Sequence, residues 1–199
     1  VLYIKKRELD SLQKIVEVIN KLEPAVKKLK LDYFPKKPEE LRERIKAGEA
    51  LEKVLPEGFA IVREASLRTL GIRYYDVQLM AAIALFEGKV VEQKTGEGKT
   101  FSAVPDLYLR SLTGKGVHLV TVNAYLARRD AGWNGPVFDL LGISVGSIVQ
   151  EGKSYLFDSE YKDTSHGDIR LTHLQPVERT EVSKADVTYG TNNQFGFDY

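Results

Sequence analysis

The sequence predicts an α/β fold: a parallel sheet flanked by helices, preceded by an α-helical amino-terminal segment. Three observations predict it. Residues 5–30 repeat apolar side chains at three- and four-residue spacing, the period of a helix with one buried stripe. From Gly71 onward, short apolar runs alternate with helical patterns, the order that builds a parallel sheet. A glycine loop, Thr95-Gly96-Glu97-Gly98-Lys99-Thr100, stands between one such run and the next helical pattern.

In the first helix the stripe is Leu9, Leu12, Ile15, Val16, Ile19 and Leu22, and Pro24 should kink or end it. Two prolines between Asp32 and Pro38 read as a turn, with Pro38 placed for the first turn of a new helix. Residues 39–70 then read as two or three amphipathic helices broken near Gly48 and Pro56. Leu41, Ile45, Leu51, Leu55, Phe59, Val62 and Leu70 are their expected buried positions. Asp76 is expected to cap a helix that runs to about Phe86, closed by Gly88.

Lys89–Gln93 is predicted as a short strand entering the glycine loop, and a helix should follow from Lys99 to about Leu112. Strands are predicted at Val117–Val122, Ser144–Val149 and Asp186–Thr191, with a helix over 124–141 closed by Gly142. Residues 150–184 are polar and show no sustained period. They read as an insertion or long surface loop outside the sheet core, with Tyr155, Phe157 and Tyr161 as possible anchors. The expected organisation is a helical segment over 1–70 and the first part of a nucleotide-binding domain over 71–199.

Composition narrows the function classes. The chain has no cysteine, which removes disulfides, thiolate metal sites and thiol nucleophiles. No apolar run approaches the ~18 residues of a membrane span, and the start has no secretory h-region. A net charge of +1 argues against an obligate nucleic-acid binder. The charge is uneven: residues 1–70 hold 16 basic against 12 acidic side chains, the rest 13 against 16. A mildly basic helical segment could touch anionic lipid or an acidic partner, or could simply be a solvated face. The chain does not begin with Met and stops at Phe197-Asp198-Tyr199, so it reads as a piece of a longer protein.

The glycine loop carries the chemistry. A phosphate-binding loop needs small residues so that backbone N–H groups can turn toward an anion, and Gly96 and Gly98 supply that freedom. Lys99 would set an ammonium against the β- and γ-phosphates of ATP, and Thr100 would offer a hydroxyl to Mg²⁺. Lys99 and Thr100 are thus the candidate catalytic residues, and Gly96, Glu97, Gly98, Lys99 and Thr100 the candidate phosphate cradle, backed by the helix that starts there. The longer form of the motif would have glycine five residues before Gly98, where this chain has Gln93. Upstream, Gln78 in Arg73-Tyr74-Tyr75-Asp76-Val77-Gln78 is a candidate reader of the adenine edge, since an amide both donates and accepts. No apolar strand ends in Asp-Glu, the pair that would hold Mg²⁺ and polarise water. His118, His166 and His173 lack metal-ligand spacing, and His118, within a strand, is expected to be a packed core residue.

Several segments together resemble the SecA family of preprotein translocase ATPases. They are Gly71-Ile72-Arg73-Tyr74-Tyr75-Asp76-Val77-Gln78-Leu79, the P-loop, Leu112-Thr113-Gly114-Lys115-Gly116-Val117-His118-Leu119-Val120-Thr121-Val122-Asn123, Tyr125–Ala131, and Thr188-Tyr189-Gly190-Thr191-Asn192-Asn193-Gln194-Phe195-Gly196-Phe197-Asp198-Tyr199. Pro56–Ser66 fits as well. The match departs at Ala124, where the family usually has Asp, and at Gln194, where it has Glu.

The resemblance implies a RecA-like P-loop motor domain, incomplete at Tyr199, that uses ATP and Mg²⁺. It implies a preprotein substrate, a membrane channel as partner, and a cytoplasmic protein peripheral at the inner face of the cell membrane, with no nucleic acid. Two other readings stand beside it. A helicase of the same motor class would bind single strands with strong salt dependence. A non-catalytic P-loop interaction module would have lost the motor.

Overall fold

The computed structural model describes residues 6–149 and 153–196. The start of the predicted first helix at residue 5, residues 150–152 of the expected insertion and the closing Phe197–Tyr199 of the last family segment lie outside the described residues. The chain forms two compact units, Val1–Leu112 and Thr113–Tyr199.

The first unit is helical. It comprises α1 (Lys6–Val26), a 3-10 turn at Leu31–Tyr33, α2 (Lys36–Lys46), α3 (Leu51–Leu70), α4 (Asp76–Phe86), α5 (Lys99–Ser102) and α6 (Val104–Ser111). The stripe of α1 buries Leu12, Val16, Ile19 and Val26, while Leu9 faces solvent. Pro24 does not stop α1 at once; the helix ends two residues later. Helix α3 is the spine, packed against α1 and α6, and is buried without a break from Gly58 to Ser66. Pro56 was expected to interrupt it, but the helix runs through: one lost N–H donor is outweighed by burial of Val54, Leu55, Phe59 and Ala60 around it. At its end Gly71 turns left-handed (φ 70°), its N–H reaches the Leu67 carbonyl, and the Ile72 N–H returns to Ser66.

The elements predicted on either side of the glycine loop also need correction. Lys89–Gln93 forms no strand. Only Val90 and Val91 are apolar there, and Val90 is 79% exposed, so no buried face holds the segment in a ladder. The helix expected from Lys99 to Leu112 is divided at Ala103 into α5 and α6. Pro105 has no N–H to give the Phe101 carbonyl, and the turn breaks there.

The unit is locked by a buried charge. Arg63, in the middle of α3, is 1% exposed. Its Nη1 donates to Asn20 Oδ1 of α1 at 2.5 Å and its Nη2 to Asp76 Oδ1 of α4 at 2.8 Å, and Glu23 lies 3.4 Å away. Asn20 Nδ2 also donates to Asp76 at 3.2 Å. Glu23 in turn accepts from Arg73 at 2.8 and 2.6 Å, so two cations and two carboxylates bind α1, α3 and the start of α4 together. Hydrogen bonding from Arg73 holds the Glu23 carboxyl down at about 2.

The second unit is a five-stranded sheet ordered β1-β5-β2-β3-β4. Its strands are β1 (Val117–Thr121), β2 (Val145–Ile148), β3 (Ser154–Phe157), β4 (Leu174–Val177) and β5 (Val187–Thr191). Its helices are α7 (Ala124–Leu140), α8 (Arg179–Val182) and α9 (Asn192–Gly196). Strand β5 runs parallel to both neighbours, with Val117 opposite Val187 on one side and Val145 opposite Val187 on the other. Strands β3 and β4 join antiparallel at the far edge. The α/β class and the three predicted strands at 117, 144 and 186 are therefore borne out. Asn123 caps α7 by accepting the Leu126 N–H at 2.9 Å.

The expectation that 150–184 stands outside the sheet core is overturned: it supplies β3 and β4, and its Tyr155, Leu171 and Leu174 form a core cluster with Val149. Strands of four residues are too short to display a period. Pro176 is tolerated because β4 is an edge. The segment reaches α7 because that helix has no side chain where it docks: a methyl on Gly132 would overlap the Arg170 carbonyl, and one on Gly135 the Phe157 ring. His118 is also not in the core; it is exposed on β1 and stacks on Phe195 at 4.4 Å. Among the described residues no helix is long and apolar enough to cross a membrane.

Two outcomes are expected. Gly135→Ala should lower the stability of the second unit by about 1–3 kcal/mol through overpacking, read by urea unfolding on the fluorescence of Trp133, the chain's one tryptophan. The folded Glu23 carboxyl lies below its ordinary 4.5, so its contribution is present above 4.5 and lost as pH falls toward 2. Helical stability measured by circular dichroism should therefore fall less between about pH 5 and about pH 3 in Glu23→Gln than in the wild type.

Candidate functional site

The site is built on the first turn of α4 and the loop 95–98. Helix α4 was expected to be capped by Asp76. Instead Tyr75 is the cap residue and Asp76 is the first helical residue, its carboxylate taken by Arg63 and Asn20. The Tyr75 N–H is satisfied by Gln78, whose Oε1 accepts it at 2.9 Å, the half of a capping box that reaches backward. The other end of the same amide donates from Nε2 to the Glu97 carbonyl at 3.1 Å. Gln78 is 6% exposed, so one buried amide joins the α4 turn to the glycine loop. It keeps one N–H and one lone pair for a further partner.

The loop is held in shape from within. Glu97 Oε2 accepts the Lys94 N–H at 2.7 Å, and the Glu97 N–H returns to the Lys94 carbonyl at 3.2 Å. Gly96 and Gly98 both have positive φ, 91° and 80°. Gly98 is required twice over, because a Cβ there would also collide with Gln78 Nε2. The Gly98 carbonyl accepts the N–H groups of Phe101 and Ser102 at 2.9 and 3.2 Å and so starts α5. Lys99 is exposed and Thr100 half-exposed at that start. Because α5 is only four residues long, its start offers the N–H groups of a single turn and no long helix dipole.

Behind this turn Tyr74 is fully buried, stacked 6.2 Å from Phe101, and burial pushes its phenol well above the usual range. In front lies a hollow of about 490 Å³ lined by Asn20, Arg73, Tyr75, Asp76 and Val77. The sequence-predicted residues Gln78, Gly96, Glu97, Gly98, Lys99 and Thr100 thus fall on two adjoining segments, with Gln78 and Glu97 in direct contact. Sequence reasoning missed Asn20, Glu23 and Arg63. The available signal was an Arg-Glu pair inside the otherwise apolar run Phe59–Ala65, since a charge on a fully buried helix must have partners.

A family model described as the SecA DEAD-like domain matches residues 2–199. The chain is 52% identical over 196 residues to the protein translocase subunit SecA of Chloroflexus aggregans, covering 98% of this chain and 20% of that protein. It is 51% identical to the same subunit of Roseiflexus sp. over 195 residues, 97% of this chain and 19% of that protein. It is 50% identical to that of Thermodesulfovibrio yellowstonii over 194 residues, 98% of this chain and 22% of that protein. The chain thus spans about a fifth of the length of the curated relatives it matches. By the match to that family model over nearly its whole length and by these relatives, this chain belongs to the SecA DEAD-like domain family.

Proposed function

We propose that this chain is the ATP-binding part of a protein-translocation motor that couples ATP hydrolysis to the movement of preproteins through a membrane channel. The observation that carries the reading is the Gln78 amide, bonded at once to the α4 turn and to the Glu97 carbonyl of the P-loop. A base reader and a phosphate cradle need such a shared support if one nucleotide is to touch both. The relatives' name, protein translocase subunit SecA, favours this reading over a helicase or a non-catalytic module. Residues 71–199 would form the first part of the motor domain and 1–70 its helical preface. The protein would work in the cytoplasm at the inner face of the membrane, with preprotein and channel as partners, a possible anionic lipid surface, and no nucleic acid.

In the cradle Lys99 would neutralise the β/γ-phosphates, Thr100 would hold Mg²⁺ through its hydroxyl, and Gly96–Gly98 would present backbone N–H groups. The residues present fit that load: two positive-φ glycines, an exposed ammonium and a hydroxyl at a helix start. Bound Mg²⁺ would offset the charge that develops on the phosphates. Gln78 would read the adenine edge with its remaining N–H and lone pair. Glu97 would keep the loop closed through Lys94.

Three outcomes test this. Isothermal titration with MgATP should show weak binding by the wild type, and Lys99→Ala should remove most of it. Gln78→Ala should flatten the preference for ATP over GTP; an unchanged ratio would remove the adenine-reading role. Turnover by the 199-residue chain should be negligible, because its sequence holds no Asp-Glu pair and an arginine finger alone can be worth ~10³–10⁵ in rate. Vigorous phosphate release abolished by Lys99→Ala would show a catalytic group within these residues.

A further inference from the structure

The segment from Ile72 to Tyr75 has neither helix nor ladder to hold it. Its position is set by side chains and a few single bonds. Ser66 Oγ donates to the Ile72 carbonyl at 2.8 Å, Tyr74 is buried, and Tyr75 is tied to Gln78. The remaining ties come from or through α1. Glu23 grips Arg73 with both oxygens, and Asn20 bridges Arg63 and Asp76. The α4 turn that carries Gln78 is therefore clamped by a helix more than fifty residues earlier in the chain.

The clamp is electrostatically tight. Arg63 is almost fully buried, and its Nε has no partner among the described residues; its charge is answered by Asp76, Glu23 and the side-chain amide oxygen Oδ1 of Asn20. Arg73 is a second cation beside it, and the repulsion between them is offset by Glu23. Without Glu23 the two guanidinium groups would face each other across a single carboxylate. The cheapest relief would be a shift of the Arg73–Asp76 segment toward solvent. That shift would carry Gln78 away from Glu97.

We infer that Glu23 and Asn20 of α1, acting through Arg63 and Arg73, are positioning residues for Gln78, and that they make the base-dependent part of nucleotide affinity depend on the placement of α1. The inference rests on the nucleotide reading above and adds its regulation. Anything that draws α1 away from α3 and α4 would loosen the base side of the site and leave the phosphate side intact. The phosphate loop is closed by its own Lys94–Glu97 contacts, which do not involve α1.

The test uses the 199-residue chain with Glu23→Ala, with Asn20→Ala as the milder variant, and with Lys27→Ala as a control that removes only an exposed partner of Glu23. MgATP, MgGTP and magnesium tripolyphosphate are titrated into each, and amide hydrogen exchange is followed at Tyr75–Leu79. Glu23→Ala should weaken ATP about fivefold, at the low end of ordinary coupling, and bring the ATP-to-GTP ratio toward that of Gln78→Ala. Tripolyphosphate affinity should stay unchanged, Tyr75–Leu79 should exchange faster, and Lys27→Ala should match the wild type. Equal losses for ATP and tripolyphosphate would mean a general loss of fold and would overturn the inference, as would unchanged exchange at Tyr75–Leu79. A wild type that binds no nucleotide would sink the nucleotide reading instead, and the exchange result would still decide whether α1 positions the turn.

Discussion

Arg63 carries a full positive charge into a helix buried on every side from Gly58 to Ser66. An isolated guanidinium in that setting would cost several kcal/mol in lost hydration, so the surroundings must answer it with charge and hydrogen bonds. They do so from three directions: Asn20 and Glu23 on α1, and Asp76 at the start of α4. The rest of the helical unit follows from that requirement. Helix α1 must lie along α3 with its polar end toward Arg63, and α4 must begin where Asp76 can reach. An apolar core alone would tolerate sliding of these helices by a fraction of a turn; a buried ion network does not.

The candidate site inherits this order. Because Asp76 is held, the first turn of α4 is held, and Gln78 at its third position can reach back to Tyr75 and across to Glu97. The loop contributes its own constraint through Gly98, where the backbone must be left-handed and no Cβ can fit beside the Gln78 amide. Two independent requirements thus meet at one contact, the first from charge burial and the second from steric access. Neither segment would place the contact alone.

The sheet unit obeys a different rule. Its parallel centre, β1-β5-β2, is made of β-branched runs and is covered by α7. The polar stretch that follows β2 adds a hairpin at the edge, and it packs because Gly132 and Gly135 leave α7 bare at the contact. Arginine–aromatic stacking completes the seam, with Arg128 over Tyr155 at 4.1 Å and Arg170 over Trp133 at 5.3 Å. A segment of low apolar content is ordered here by close approach and cation–π contact rather than by a stripe.

Features written in local order were legible from the sequence by itself. The helical period of residues 6–26, the β-branched strands near 117, 145 and 187, the glycine loop and the glutamine before it depend on neighbours a few residues apart. So does the family, through motifs that are contiguous. Tertiary structure decided the rest. It removed the strand expected at Lys89–Gln93, where no buried face supports one, and divided the helix at Ala103 before Pro105. It drew the polar stretch after β2 into the sheet. It also chose the partners of Arg63, Arg73 and Gln78, at separations of 43, 50 and 19 residues. Such partners have no periodic trace, because an ion pair or amide bridge depends on distance in space and on the loss of water around it, and both exist only once the helices have packed.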